Sequence, residues 1–161
     1  MTDVSKDDFK KVMASFAASV TVVTTIGDDA KLVGLTATAF SSLSMDPPLC
    51  LVCVDKRGAS HEAIATNRRF AVNVLAADQT ELSNRFASRR EDKFDGVAHS
   101  PGAVTGCPLL DGAIATMECE LHEILPGGDH SIFVGRLVAT STKEGNPLLY
   151  FRGGYRNLAS P

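Results

Sequence analysis

Apolar positions in this chain follow two periods, and the changes between them mark its elements. In "SKDDFKKVMASFA", Phe9, Val12, Met13 and Phe16 recur at steps of three and four, which stripes one face of a helix. Ser5, with Asp8 three residues on, has the form of an N-terminal capping pair. "VTVVTTIG" is β-branched and predicts a strand. "DDAK" predicts a turn and "LVGLTATAF" an extended return, so the two runs form a hairpin. Pro47 and Pro48 end that arm, because neither can donate to a ladder. "LCLVCV", Leu49 to Val54, is a continuous apolar run, the pattern of a strand buried on both faces.

Beyond it, "HEAIATN" predicts a short helix capped by Ser60, and "FAVNVLA" another strand. "DQTELSNRFASRR" predicts a helix capped by Asp78 with Glu81 three residues on. Residues 91–110 are rich in Gly and Pro and predict irregular chain. "AIATMECELHEILP" and "HSIFVGRLVATST" flank "GGD" as a second hairpin. "PLLYF" predicts a last short strand and "RGGYRNL" a tail. Roughly six strands, mostly in hairpins, with two or three helices describe a mainly β fold with peripheral helices, an antiparallel barrel with helices packed outside it. Strands and helices do not alternate regularly, which excludes a doubly wound sheet.

Composition adds limits rather than a function. A single domain over residues 1–161 is long enough for a sizeable core. The net charge of −3 gives no global basic field, so nucleic acid is not an expected partner. Arg85, Arg89, Arg90 and Lys93 cluster, however, and Lys56 and Arg57 adjoin, which leaves local anion binding open. No apolar run approaches the ~18 residues of a membrane span, and "MTDVSKDDFKK" is not a signal peptide. The expectation is a cytoplasmic protein that does not meet the membrane. Four cysteines in this length do not make a disulfide scaffold.

The familiar catalytic signatures are missing. There is no Walker A, no G-x-G-x-x-G, no G-x-S-x-G and no H-E-x-x-H. Cys50 and Cys53 form a C-x-x-C, but three residues along a strand place the two sulfurs on opposite faces, against a redox pair or a half zinc site. His122 and His130 flank the second hairpin turn and could approach, but no further ligands accompany them, so no metal is expected. His130 leaves a turn, where a side chain can project into a cleft. Arg89 and Lys93 are either a solvated helix end or a phosphate clamp. Ser60, at a helix start, offers a second anion seat. "GLTATAFSSLSMDPP" is an unusual run of small hydroxyl residues between apolar runs. It is either a strand packed under a helix or a floor on which a flat ligand lies against the backbone, with Thr36, Thr38, Ser41 and Ser42 as donors.

The ordered series "FAASVTVVTT", "GLTATAFSSLSMDPPLCLVCVD", "FAVNVLAADQTELSNRFA", "DKFDG", "LLDGAIATMECELHE", "GGDHSIFVGRLV" and "PLLYFRGGY" resembles the flavin reductase-like family, from Phe9 to Leu158. Within it, the chain looks like the NAD(P)H-dependent flavin reductase components of two-component monooxygenases. The resemblance implies an FMN-binding split β-barrel, antiparallel and Greek-key-like, in a homodimer with flavin near the interface. It implies FMN or FAD as flavin, NADH or NADPH as hydride donor, and a separate oxygenase that receives the reduced flavin. Thr36, Ala37, Thr38 and Ala39 match the segment beside the flavin ring, followed by Ser41 and Ser42. Cys53, Val54 and Asp55 match the strand end under the flavin, and Ser60 the phosphate side. Phe86, Ala87, Arg89 and Lys93 match the segment that closes over ribityl and phosphate. His130 and Tyr155 match positions on the nicotinamide side, with His130 orienting the nicotinamide as the catalytic residue. Where the family often has Thr-Gly or Pro-Gly before the first strand, this chain has Ala18 and Ser19. NADPH would need a cation at its 2′-phosphate, for which Arg152 or Arg156 would have to reach. Two other readings stay open: a flavin-binding electron carrier without NAD(P)H turnover, and a structural barrel module.

Overall fold

Thr21 to Thr25 are all buried, and this β-branched run forms a strand covered on both faces. The computed structural model describes residues 3–158. Its main sheet is antiparallel and built from seven strands. In chain order they are β2 (Thr21–Ile26), β3 (Leu32–Ala37), β4 (Phe40–Ser44), β5 (Leu49–Asp55), β6 (Arg69–Val74), β9 (Ala115–Gly127) and β10 (His130–Thr142). Their order across the sheet is β3-β2-β6-β9-β10-β5-β4. β1 (Ala18–Ser19), β11 (Leu149–Phe151) and β12 (Gly154–Arg156) form a small second sheet, and β7 (His99–Pro101) pairs with β8 (Pro108–Leu110). Three helices accompany them: α1 (Lys6–Met13), α2 (Ala59–Asn67) and α3 (Thr80–Ala87).

β3 and β4 are the two edges of the seven-stranded sheet, yet only Thr38 and Ala39 separate them in the chain. Three Cα–Cα steps span at most about 11 Å. The sheet must therefore roll until its edges meet at this corner, where the Cys53 N–H donates to the Ala39 carbonyl at 3.0 Å. The rolled sheet encloses Val23, Val52, Val54, Phe70, Val72 and Phe133, and α2 adds Ile64 to that interior. A second apolar layer, with Val20, Val22, Leu75, Phe86, Leu110 and Leu148, packs outside β2 and β6. This is the mainly β barrel with outer helices that the residues predicted, in the split-barrel form that the family resemblance implied, open along part of its seam.

The strand buried on both faces is β2 and, after Arg69, nearly all of β6, not β5. In β5, Cys50, Val52 and Val54 point into the barrel, while Leu49, Leu51, Cys53 and Asp55 are half-buried on the outside. β2 and β6 lie between the barrel interior and the outer layer, which β5 does not reach. The two cysteines of the C-x-x-C do face opposite ways, and the Cys50 sulfur instead lies 3.7 Å from that of Cys119. They meet over Gly135, where a Cβ would come within 2.4 Å of the Phe70 ring and 2.9 Å of the Cys119 Cβ.

Several predicted boundaries move. "LVGLTATAF" breaks at the corner rather than running on, and "RGGYRNL" contributes β12 rather than a free tail. Residues 91–110 include the short β7–β8 pair. Ser5 does cap α1, accepting from the Asp8 N–H at 3.1 Å. Gly58, not Ser60, is the cap residue of α2, and Ser60 is buried within its first turn. Gln79, not Asp78, precedes α3, and its side chain accepts from Ala76 and donates to Asp111 instead of capping. Ala18 and Ser19, where the family pattern is absent, pair with Tyr150 and Leu149.

Polar residues on the outside of three neighbouring strands fasten the chain that covers them. Thr24 donates to the Pro108 carbonyl, and Asn73 accepts from Leu110 N–H at 2.8 Å. Glu118, 4% exposed, accepts from Val104 N–H (3.0 Å), Thr105 N–H (2.6 Å) and the Thr105 hydroxyl (2.8 Å). Burial pushes the Glu118 carboxyl up, but these donors together outweigh it and hold the group below its ordinary value of 4.5. A lowered folded value means that the contribution is present above pH 4.5 and is lost as pH falls through the folded value. Glu118→Gln should cost about 1–3 kcal/mol at neutral pH and flatten the loss of stability below that pH. Urea unfolding at pH 7 and at acid pH checks this; unchanged midpoints for the variant would remove Glu118 as the fastening.

Candidate functional site

At the corner where the sheet edges meet, the chain presents small side chains to solvent. Thr38, Ala39, Ser41 and Ser42 are exposed, whereas Ala37 is buried and Thr36 half-buried. The Thr36 hydroxyl donates to the Ser83 carbonyl of α3 at 2.6 Å, and the Ala37 carbonyl accepts from the Thr21 hydroxyl at 2.7 Å. The Ser41 hydroxyl donates to the Ser42 carbonyl at 3.0 Å. β4 pairs only with β5, placing Phe40 opposite Val52 and Ser41 opposite Leu51. Because Ala39 bonds to Cys53, the alternation of an antiparallel ladder turns the peptide groups of Phe40 and Ser42 away from β5. An edge with outward-facing N–H and C=O groups and short side chains is a surface that a flat polar ring can approach.

The end of β5 and the tip of the β9–β10 hairpin lie together beside this edge. His130 stands opposite Asp55 on one side and Gly127 on the other. Its Nδ1 lies 2.8 Å from an Asp129 carboxylate oxygen, which holds the Asp129 carboxyl below its ordinary value. Asp55 receives the Arg57 guanidinium at 2.7 and 3.1 Å and the Arg57 N–H at 2.9 Å. Those bonds hold the Asp55 carboxyl well below the usual carboxylate range. Lys56 ties the two segments, donating its N–H to the Asp129 carbonyl and its ammonium to that of Gly128. Cys53 is half-buried outside the barrel, and the Val54 side chain is buried inside it. α2 starts after this turn, with Ser60 in its first turn, so its leading N–H groups and positive dipole end lie close by.

The remaining nominated residues belong to α3 and the chain after it. Phe86 is 1% exposed and packs edge-on against Phe94, filling the space above Gly34, where a Cβ would lie 2.6 Å from its ring. The Lys93 ammonium donates to the carbonyls of Gly34 (3.1 Å) and Phe86 (2.9 Å), and burial lowers its pKa. The Tyr155 hydroxyl donates to Asn84 Oδ1 at 2.7 Å and lies 2.9 Å from the Ser83 hydroxyl. Lys93 and Tyr155 thus hold α3 in place, while Ala87 and Arg89 are exposed. His122 and His130 do not come together: the register sets His130 against Gly127, several residues along β9 from His122. Among the described residues, no cluster of ligands could hold a metal. Arg152 lies over the Phe151 ring, and Arg156 bonds to the Tyr155 carbonyl.

Two surface hollows lie elsewhere. One of about 280 Å³ is lined by Glu81, Arg85 and Asp111, and one of about 490 Å³ by Gln79, Lys143 and Asn146. Arg85 of the basic cluster lines the first hollow, but none of the residues matched to the family pattern lines either one. The Asp55–Arg57 pair was legible in its spacing of two, but His61–Ser131 and Tyr155–Ser83 join residues about 70 positions apart and leave no local signal.

Residues 13–159 match the sequence model of the family described as "Flavin reductase like domain". The chain belongs to the flavin reductase-like family. A probable flavin reductase of Rhizobium meliloti is 41% identical over 91% of this chain, which spans only 47% of that protein. The reductase subunit HsaB of a flavin-dependent monooxygenase from Rhodococcus jostii is 40% identical over 93% of this chain and 76% of its own. Among solved structures, the NADH:FAD oxidoreductase SgcE6 of Streptomyces globisporus superposes with a TM-score of 0.93 at 35% identity, over 99% of this chain and 98% of that one. SgcE6 was also solved in complex with NAD and FAD fragments.

For a flavin reductase-like chain, the test is whether these residues suit a flavin. They do: the open edge at Phe40 and Ser42 offers donors and acceptors to a ring's polar rim, and short side chains leave its face free. The leading N–H groups of α2 suit a phosphate. Thr38→Trp would fill the corner from an exposed position, so it should weaken flavin binding at least tenfold with little effect on folding. Lys93→Met, by contrast, should lower stability by about 1–2 kcal/mol and move flavin affinity less. Fluorescence titration and thermal melts of both variants check this; the opposite ordering would exchange the two roles.

Proposed function

We propose that the chain is an NADH-dependent flavin reductase that supplies reduced flavin to a separate oxygenase. Its corner of small residues, beside an open strand edge and next to the tip that carries His130, supports this reading most directly. A bound flavin would supply the acceptor for the hydride of the reduced nicotinamide. The chain's own task is placement. The peptide groups of Phe40 and Ser42 hold the ring's edge, Thr38, Ala39, Ser41 and Ser42 keep its face clear, and the start of α2 receives a phosphate. His130, with Nδ1 against Asp129, turns its other ring nitrogen outward to orient the nicotinamide. No nucleophile or metal is needed for hydride transfer between two stacked rings. Both FMN and FAD carry the ring and the first phosphate, so either meets these contacts.

The working form is a homodimer. Phe9, Val12, Met13 and Phe16 on and just after α1 are exposed by 61%, 69%, 49% and 69%, and α1 has no buried residue. Such an apolar stripe calls for a covering surface, and the corner is open enough for a second copy to complete it. No described helix is long and apolar enough to cross a membrane, and a cytoplasmic setting fits a reaction that draws on NADH.

NADH oxidation by the purified protein should require added FMN or FAD, and His130→Ala should raise KM for NADH about tenfold with flavin Kd unchanged. Flavin binding without NADH turnover would make the chain a carrier; neither binding nor turnover would leave a structural barrel.

A further inference from the structure

β10 begins with His130, and its next residue is held from an unexpected direction. The Ser131 side chain points into the protein, where it is 5% exposed. Its hydroxyl lies 2.8 Å from Nε2 of His61, in the first turn of α2. The same imidazole stands edge-on to the Phe133 ring, with centroids 5.0 Å apart at 80°. Ser131 and Phe133 are successive inward residues of β10, so one side chain of α2 grips the strand at two consecutive points. The hydrogen bond fixes distance and the ring contact fixes rotation. Lys56 holds the turn just before, at Gly128 and Asp129. His130 lies between these two restraints and faces the other side of the strand.

We propose that His61 is a positioning residue for NADH use: through Ser131 it holds the start of β10, and with it His130, in the orientation that meets the nicotinamide. This rests on the reading that His130 faces the nicotinamide. His61 touches neither reactant. Without its partner, the buried Ser131 hydroxyl would be unsatisfied and would seek another bond by shifting the strand. That shift would move His130, while the β4 edge lies beyond β5 and keeps its own pairing.

The test uses steady-state kinetics and flavin titration on the intact protein. His61→Phe keeps the ring contact and removes the bond, Ser131→Ala removes it from the other side, and His61→Gln restores a side chain able to bond. His61→Phe and Ser131→Ala should each raise KM for NADH about five- to tenfold, with flavin Kd within about twofold of the parent. The double variant should be no worse than either single one, because both remove the same bond. His61→Gln should recover part of the loss. Unchanged KM for NADH in both single variants, with a lowered melting temperature, would reduce the bond to ordinary packing and overturn the proposal. Equal weakening of flavin and NADH would overturn it too. His130→Ala separates the two levels. If it leaves KM for NADH unchanged, the role of His130 falls and the proposal with it; if it raises KM while the single variants do not, only the proposal about His61 falls.

Discussion

A two-residue connection between strands at opposite edges of a seven-stranded sheet shapes the whole molecule. Thr38 and Ala39 are too short a link to let the edges separate, so the sheet rolls and encloses Phe70, Phe133 and the valines around them. The link pairs on the β5 side, through the Cys53 N–H and the Ala39 carbonyl. It leaves small side chains and peptide groups that face away from β5 at one exposed corner. The feature that closes the barrel is thus the one that would form the flat surface we propose for flavin.

The other elements support that corner from two directions. α3 lies against β3, held by Thr36 on Ser83, Lys93 on Gly34 and Phe86, and Tyr155 on Ser83 and Asn84. The outer covering chain is fastened to β2, β6 and β9 by Thr24, Asn73 and Glu118. On the other side, Lys56 and His61 bind the β9–β10 tip to the start of α2. Several residues that motif matching assigns to ligands have their polar atoms engaged in these internal ties. They shape the site by holding its walls. Among the nominated residues, Thr38, Ala39, Ser41, Ser42, Ala87 and Arg89 are exposed and His130 is half-buried.

Much of this was legible in the sequence because local rules govern it. The β-branched run of β2, the capping serine of α1, the "GGD" turn and the opposed faces of Cys50 and Cys53 all follow from spacing and propensity. The errors have one cause. Whether β5 is buried on one face or two depends on what covers it, and a run of apolar letters does not say. Ser60 and Asp78 have good capping chemistry, but the turns before α2 and α3 put Gly58 and Gln79 at those positions. The engagement of Lys93 and the His61–Ser131 bond depend on contacts between distant residues, which periodicity cannot reveal. The family resemblance nominated the site residues; the structure separates those that are exposed from those whose polar atoms are engaged internally.

Hydrogen exchange with and without flavin tests the central claim most directly. The amides of Phe40 and Ser42 face away from β5 and should exchange quickly in the free protein. Addition of FMN or FAD should protect them together with the first amides of α2, while the hollow between α3 and Gly96–Ala98 stays unchanged. Protection confined to that hollow, with the corner exchanging as before, would contradict the account.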